Sequence, residues 1–191
     1  MQSIQSLFRP YLAPTGVIFA LVLIHFLPGL HPYLVLTEDG LLAQAWRLLT
    51  THLVHLNTYH LVTNILGLFL AAVVLRKYVF GRTMLNVMVF AGLFAALLPL
   101  AFSEQPVFVG FSGILHGLVA YAGIVMVKQG QKVGFAVLAL LIAKLVLDMA
   151  GADTVDPWLN AQVAYLAHLG GALGGVIAVP SLQKRQPLQR S

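Results

Sequence analysis

A serine flanked closely by glycines, Gly110-Phe111-Ser112-Gly113, follows a loop at 104–109 and opens an apolar stretch. At the start of a helix a serine hydroxyl is exposed, and the first backbone N–H groups have no intrahelical acceptor, so they can face a developing oxyanion. The string alone is weak evidence, because small residues also ease helix packing. A serine needs a base to become a nucleophile near neutral pH, and two histidines compete for that work. His116 lies four residues on, on the same helix face; His168 lies on a different apolar stretch. His60 and Asn64 sit one turn apart and carry N–H donors of the kind that hold a tetrahedral oxyanion. Together these residues point to acyl transfer through a serine. Asp148 is the nearest carboxylate, but Lys144 stands four residues before it and offers it an ordinary ion pair. A Ser112–His168 dyad without a carboxylate is therefore expected.

The elements that must position these groups are apolar. Of 191 residues, 59% are hydrophobic and 9% are charged, against roughly 25% charged in soluble domains. A spanning helix takes about 20 mostly apolar residues. Six stretches qualify or nearly do: 11–30, 59–79, 83–102, 112–127, 134–150 and 162–180. The expected fold class is an all-α membrane protein, a six-helix transmembrane bundle forming one domain over 1–191. The first stretch has Arg9 before it but no small-x-small cleavage site after it, so it reads as a retained helix. There is no cysteine, which excludes disulfides, thiolate catalysis and cysteine metal sites.

The net charge of +5 comes from basic residues gathered on one side. Nine of the eleven, Arg9, Arg76, Lys77, Arg82, Lys128, Lys132, Lys184, Arg185 and Arg190, fall at the ends of the stretches that share one face of the membrane. All six acids, Glu38, Asp39, Glu104, Asp148, Asp153 and Asp156, lie in or near the other side. By the positive-inside rule both termini are cytoplasmic. The charge is a topology signal and not a nucleic-acid footprint.

In that topology the polar residues share one shallow layer beneath the non-cytoplasmic surface. His60 and Asn64 lie in the outer turns of the second stretch, Ser112 and His116 open the fourth, Lys144 and Asp148 occupy the outer half of the fifth, and His168 lies about six residues into the sixth. Ionisable residues inside a membrane are costly and are functional candidates. Glycines choose between the histidines. Gly113 and Gly117 share the face of Ser112, and Gly171 and Gly175 share that of His168. Such small-residue faces let two membrane helices approach closely, bringing Ser112 to His168 and leaving His116 as a neighbour.

These residues resemble the rhomboid family. The resemblance is carried by Trp46-Arg47 in the first connector, His55 with His60-Leu-Val-Thr-Asn64, Gly110-Phe-Ser112-Gly113, and Ala167-His168-Leu-Gly170-Gly171 with Gly174 and Gly175. It implies intramembrane serine proteolysis of membrane-associated proteins without metal or cofactor, with Ser112 as nucleophile and His168 as base. It also implies an oxyanion hole of His60, Asn64 and the Ser112 N–H, supported by Gly110 and Gly113. Many bacterial rhomboids carry tyrosine four residues after the serine, where this chain has His116. The string Gly-Phe-Ser-Gly-Ile-Leu-His-Gly, the compact length and Lys144-Leu-Val-Leu-Asp148 look like the rhombosortase branch. That branch implies secreted or surface substrates with a C-terminal Gly-Gly-containing sorting tail, in a Gram-negative inner membrane, with the active site toward the periplasm. The expected partners are such tailed or membrane-protein substrates and the lipid bilayer, with no nucleic acid. His116 is left between supporting His168, touching substrate and sharing the proton. Two rival readings exist: a catalytically silent protein that holds client helices, and a metal- or haem-handling protein using His52, His55, His60, His116 and His168. The second lacks a His-Glu-x-x-His string.

Overall fold

The computed structural model describes residues 11–37, 43–103 and 107–183. Arg9, Glu38, Asp39, Glu104, Lys184, Arg185 and Arg190, on which part of the charge pattern rests, lie outside the described residues. Eight α-helices occur among those described: α1 Leu12–His25, α2 His31–Leu34, α3 Arg47–Thr50, α4 Thr58–Val74, α5 Gly81–Phe102, α6 Ser112–Lys128, α7 Val133–Ala150 and α8 Tyr165–Gln183. The six long ones correspond to the six apolar stretches. α5 and α7 are each long and apolar enough to cross a membrane unaided. α1 with Pro28–Leu34, and Arg47–Leu53 with α4, qualify as bent pairs at 91° and 102°. α6 is shorter at 17 residues, about 26 Å of helix against a hydrocarbon core of about 30 Å.

The outward faces are apolar. Phe19, Leu66, Phe69, Leu70, Phe135, Leu140 and Leu147 are all exposed. In water so broad an apolar surface would be an aggregation hazard; in lipid it is solvated. The interior is built on Leu21, Leu68, Met84, Val87 and Leu118, each almost wholly buried. The chain is an all-α membrane protein.

α8 is wedged between α5 and α6, and glycine makes this possible. A Cβ on Gly170 or Gly174 would strike the α5 backbone at Phe94 and Phe90, respectively. A Cβ on Gly171 or Gly175 would strike the α6 backbone at Gly113 and Gly117. A Cβ on Gly113 would meet the Ala167 carbonyl oxygen at 2.8 Å and Ala95 at 2.9 Å. The backbones are in contact, and the paired glycine faces of α6 and α8 hold their N-terminal turns together. Gly171→Ala should therefore lower stability by about 1–3 kcal/mol, read as a fall in the unfolding temperature in detergent. Gly16→Ala, with nothing within 4 Å of the added carbon, should leave it level or higher.

Four boundaries differ from the sequence reading. The first stretch, expected to run to residue 30, is α-helical only to His25. The second stretch is helical only to Val74 and closes in a turn, not a helix running to residue 79. The connector at 151–162 is not a plain link: Val155–Asp156 (β1) pairs antiparallel with Ala161–Gln162 (β2). Asp156 Oδ1 accepts from the N–H groups of Trp158 and Leu159, closing the hairpin, while Trp158 stacks on Tyr59 at 5.4 Å. The hairpin takes up residues expected to be helical, so α8 starts at Tyr165. His168 thus lies in the first turn of its helix, shallower than six residues in.

The long first connector folds back on the bundle. Arg47 Nη1 donates to the Val35 carbonyl (2.7 Å), Trp46 Nε1 to that of Tyr33 (3.2 Å) and Thr50 Oγ1 to that of Leu34 (2.9 Å). Its inner end reaches the loop before Ser112: Thr51 Oγ1 donates to the Phe108 carbonyl at 2.7 Å. His52, fully buried, has Nε2 2.9 Å from the Gly92 carbonyl oxygen and Nδ1 3.3 Å from that of Gly110.

Candidate active site

Ser112 is the first residue of α6, delivered by Gly110 at φ +114. This left-handed conformation is one that glycine adopts without strain. There is a second reason for glycine here: a Cβ would run into the His60 ring, with Nε2 at 2.5 Å. The turn therefore packs the Gly110 backbone closely against the His60 ring.

Ser112 Oγ lies 2.7 Å from His168 Nε2, and His168 Nδ1 lies 2.8 Å from Asp148 Oδ2. A carboxylate only accepts, so Nδ1–H donates to Asp148. Nε2 is then left with the lone pair that accepts from the serine hydroxyl. The carboxylate holds the imidazole in the one tautomer that can act as base toward Ser112. His168 and Asp148 are both buried.

The sequence reading expected a Ser112–His168 pair without a carboxylate; in the structure the hydrogen-bonded chain continues to Asp148. Lys144 does pair with Asp148, as the i,i+4 spacing predicts, but through Oδ1. A carboxylate has two oxygens, and Oδ2 is turned to α8. The shared depth of Asp148 and His168 was legible; that a buried carboxylate needs more than one half-exposed lysine as partner was the inference left undrawn.

His116 does not touch the serine hydroxyl. Its ring lies face to face on His168, centroids 4.3 Å apart and planes within 15°. Its Nδ1–H donates to the Ser112 carbonyl at 2.8 Å. It thus fixes the position of the base's ring and ties back the first turn of α6.

His60 and Asn64 lie on α4. Asn57 caps α4 by accepting from the His60 N–H at 2.9 Å, and its amide donates to the Trp158 and Leu159 carbonyls in the hairpin. Both side chains are buried, and His60 Nδ1 and Asn64 Nδ2 have no protein partner. Buried donors are seldom left orphaned. The two residues line, with Ser112 and His168, a cavity of about 1010 Å³ that also touches Tyr59 and Lys144. His55, packed edge-on against His60 at 5.1 Å, buttresses its ring.

Ser112, His168 and Asp148 are joined by a continuous run of hydrogen bonds beside one cavity within a bundle of apolar helices. The chain belongs to the rhomboid family, whose Rhomboid domain matches residues 42–185. That family comprises intramembrane serine proteases. No single curated protein matches the chain. The match takes in α3 to α8, and hence every residue of the site.

Proposed function

We propose that this chain is an intramembrane serine endopeptidase in which Ser112 attacks, His168 is general base and then general acid, and Asp148 orients and charge-balances His168. The observation that carries the reading is the continuous hydrogen-bond chain from Ser112 Oγ through His168 to Asp148. A substrate segment frays into the cavity, exposing a peptide bond that a regular helix shields. Ser112 Oγ adds to its carbonyl carbon as its proton passes to His168 Nε2. The oxyanion takes hydrogen bonds from Asn64 Nδ2, His60 and the Ser112 N–H. His168 gives its proton to the leaving amine, and water then hydrolyses the acyl-enzyme. In the proposed topology the site lies in a shallow layer of the membrane, within reach of water. Asn64→Ala should lower kcat by about 10²–10³-fold with little change in KM, because its amide meets the oxyanion only in the transition state.

The substrates we propose are membrane-tethered proteins, in particular secreted or surface proteins with a Gly-Gly-containing C-terminal tail. Support for this finer reading is the Gly110–Gly117 string with His116 and the Lys144…Asp148 pair on the next helix. The enzyme would sit in a bacterial inner membrane with both termini cytoplasmic and the cavity toward the periplasm, in keeping with the basic residues at the opposite helix ends. The test is mass spectrometry of a tailed protein co-reconstituted in liposomes with wild-type enzyme or Ser112→Ala. The expected result is a new C-terminus, at or beside the glycines, with wild type only. An intact tail with wild type that still cleaves another membrane protein would rule out the tail but not the chemistry.

A further inference from the structure

We propose that the turn between α4 and α5 and the turn between α6 and α7 together bind the headgroup of an anionic phospholipid. The two turns are tied to each other, because the Tyr78 hydroxyl donates to Gln131 Oε1. Around that bond the chain is strongly basic. Arg76, Lys77 and Arg82 lie within four residues of Tyr78, and Lys128 and Lys132 within three of Gln131. All five are exposed. Arg76 Nη1 donates to the Tyr11 hydroxyl at 3.2 Å. The side chains of Lys77, Arg82 and Lys132 make no hydrogen bond or ion pair among the described residues.

The chain gives these cations no counter-charge. No acidic residue occurs at 40–103 or at 105–147. On α7 the first acid is Asp148, near the far end of the helix, about 22 Å along the axis from Val133. That is well beyond the screening length of about 8 Å at physiological ionic strength. Like charges gathered without a counter-ion repel one another, so an anion seated among them is attracted by all of them.

The surroundings choose among anions. Phe80 lies in the first turn, and Val133 and Phe135 follow the second; all three are exposed. A soluble phosphate gains nothing from apolar side chains beside its charge. A phospholipid does, since its phosphate meets the cations while its acyl chains run along the apolar helix ends. α5 and α7, the two helices long and apolar enough to cross a membrane unaided, both begin at this face. The basic residues therefore stand at the level where a bilayer places its phosphates, the setting in which basic pockets between membrane helices take lipid headgroups. Because the charges come from two turns, cardiolipin, with two phosphates on one molecule, is the lipid best matched to them. The site is at the opposite end of α7 from Lys144 and Asp148 and is independent of the proteolytic reading.

The test titrates the full-length protein in detergent with cardiolipin, phosphatidylcholine or inorganic phosphate, and reads binding by native mass spectrometry and by the shift in unfolding temperature. Cardiolipin should stay bound and raise the unfolding temperature. Phosphatidylcholine should do neither, and inorganic phosphate in excess should not displace cardiolipin. A basic residue close to an anionic lipid surface contributes about fivefold in affinity. Lys77→Gln, Arg82→Gln and Lys132→Gln should thus each weaken cardiolipin binding about fivefold, and all three together about a hundredfold. Lys77→Arg, Arg82→Lys and Lys132→Arg combined keep every charge and should bind as wild type does, which separates loss of charge from loss of fold. Lys144→Gln, a charge removed at the other end of α7, should also bind as wild type does. Undiminished binding by the triple glutamine variant, an equal loss in the charge-keeping variant, equal affinity for phosphatidylcholine, or displacement by inorganic phosphate would each overturn the proposal.

Discussion

Ser112→Ala and His168→Ala should each reduce cleavage by about 10⁶-fold, and the double variant should be no worse than either. The non-additivity follows from the geometry. The two side chains make one hydrogen bond, Oγ to Nε2 at 2.7 Å, and neither does its work without the other. A base with no hydroxyl to deprotonate contributes nothing, and an unassisted hydroxyl is nearly inert. What survives should be the modest catalysis due to the oxyanion donors and binding. Neither change should unfold the bundle, because the α6–α8 contact is made by glycine backbones and not by these side chains. Rates in liposomes, with unfolding temperatures measured alongside, check this. An additive double variant would mean that the two residues act in separate steps.

Asp148→Asn should reduce cleavage by about 10⁴-fold, the loss that follows when the carboxylate of such a triad becomes an amide. The amide keeps the shape but presents either N–H or C=O to His168 Nδ1. If it presents its N–H, the imidazole is held with its proton on Nε2 and cannot take that of Ser112. The developing imidazolium also loses its counter-charge. Lys144→Gln is the necessary comparison. It breaks the ion pair at Oδ1 but leaves the bond from Oδ2 to His168. If Asp148 matters only as the partner of Lys144, the two variants should be equally impaired. If it orients the base, Lys144→Gln should retain most activity while Asp148→Asn does not. A large gap between them, with similar unfolding temperatures, is the expected outcome.

What could be read from the chain was whatever periodicity and residue size express. The apolar stretches became the six long helices, and Gly113, Gly117, Gly171 and Gly175 gave the contact between α6 and α8, because a missing side chain directly limits how near two backbones come. Asp148 shows where such reading stops. Its spacing from Lys144 is visible along one helix; its second oxygen reaches α8, twenty residues on, and that depends on the relative rotation of α7 and α8. Local spacing cannot express that rotation. His52 was hidden for a similar reason: it clamps Gly92 and Gly110, carbonyls that carry no side-chain signature. The hairpin at 155–162 was hidden because its strands are two residues long and its turn is closed by Asp156. Asn57 ties that hairpin to the start of α4, so the mouth of the cavity is set by a connector that looked like a plain link.

The most direct test of the central claim, a serine activated by His168, is the reaction of a fluorophosphonate probe with the full-length protein, mapped by peptide mass spectrometry. The expected result is one adduct, on Ser112, formed much more slowly in His168→Ala and in Asp148→Asn than in wild type. An adduct on another residue, or labelling of Ser112 at the wild-type rate without His168, would contradict it.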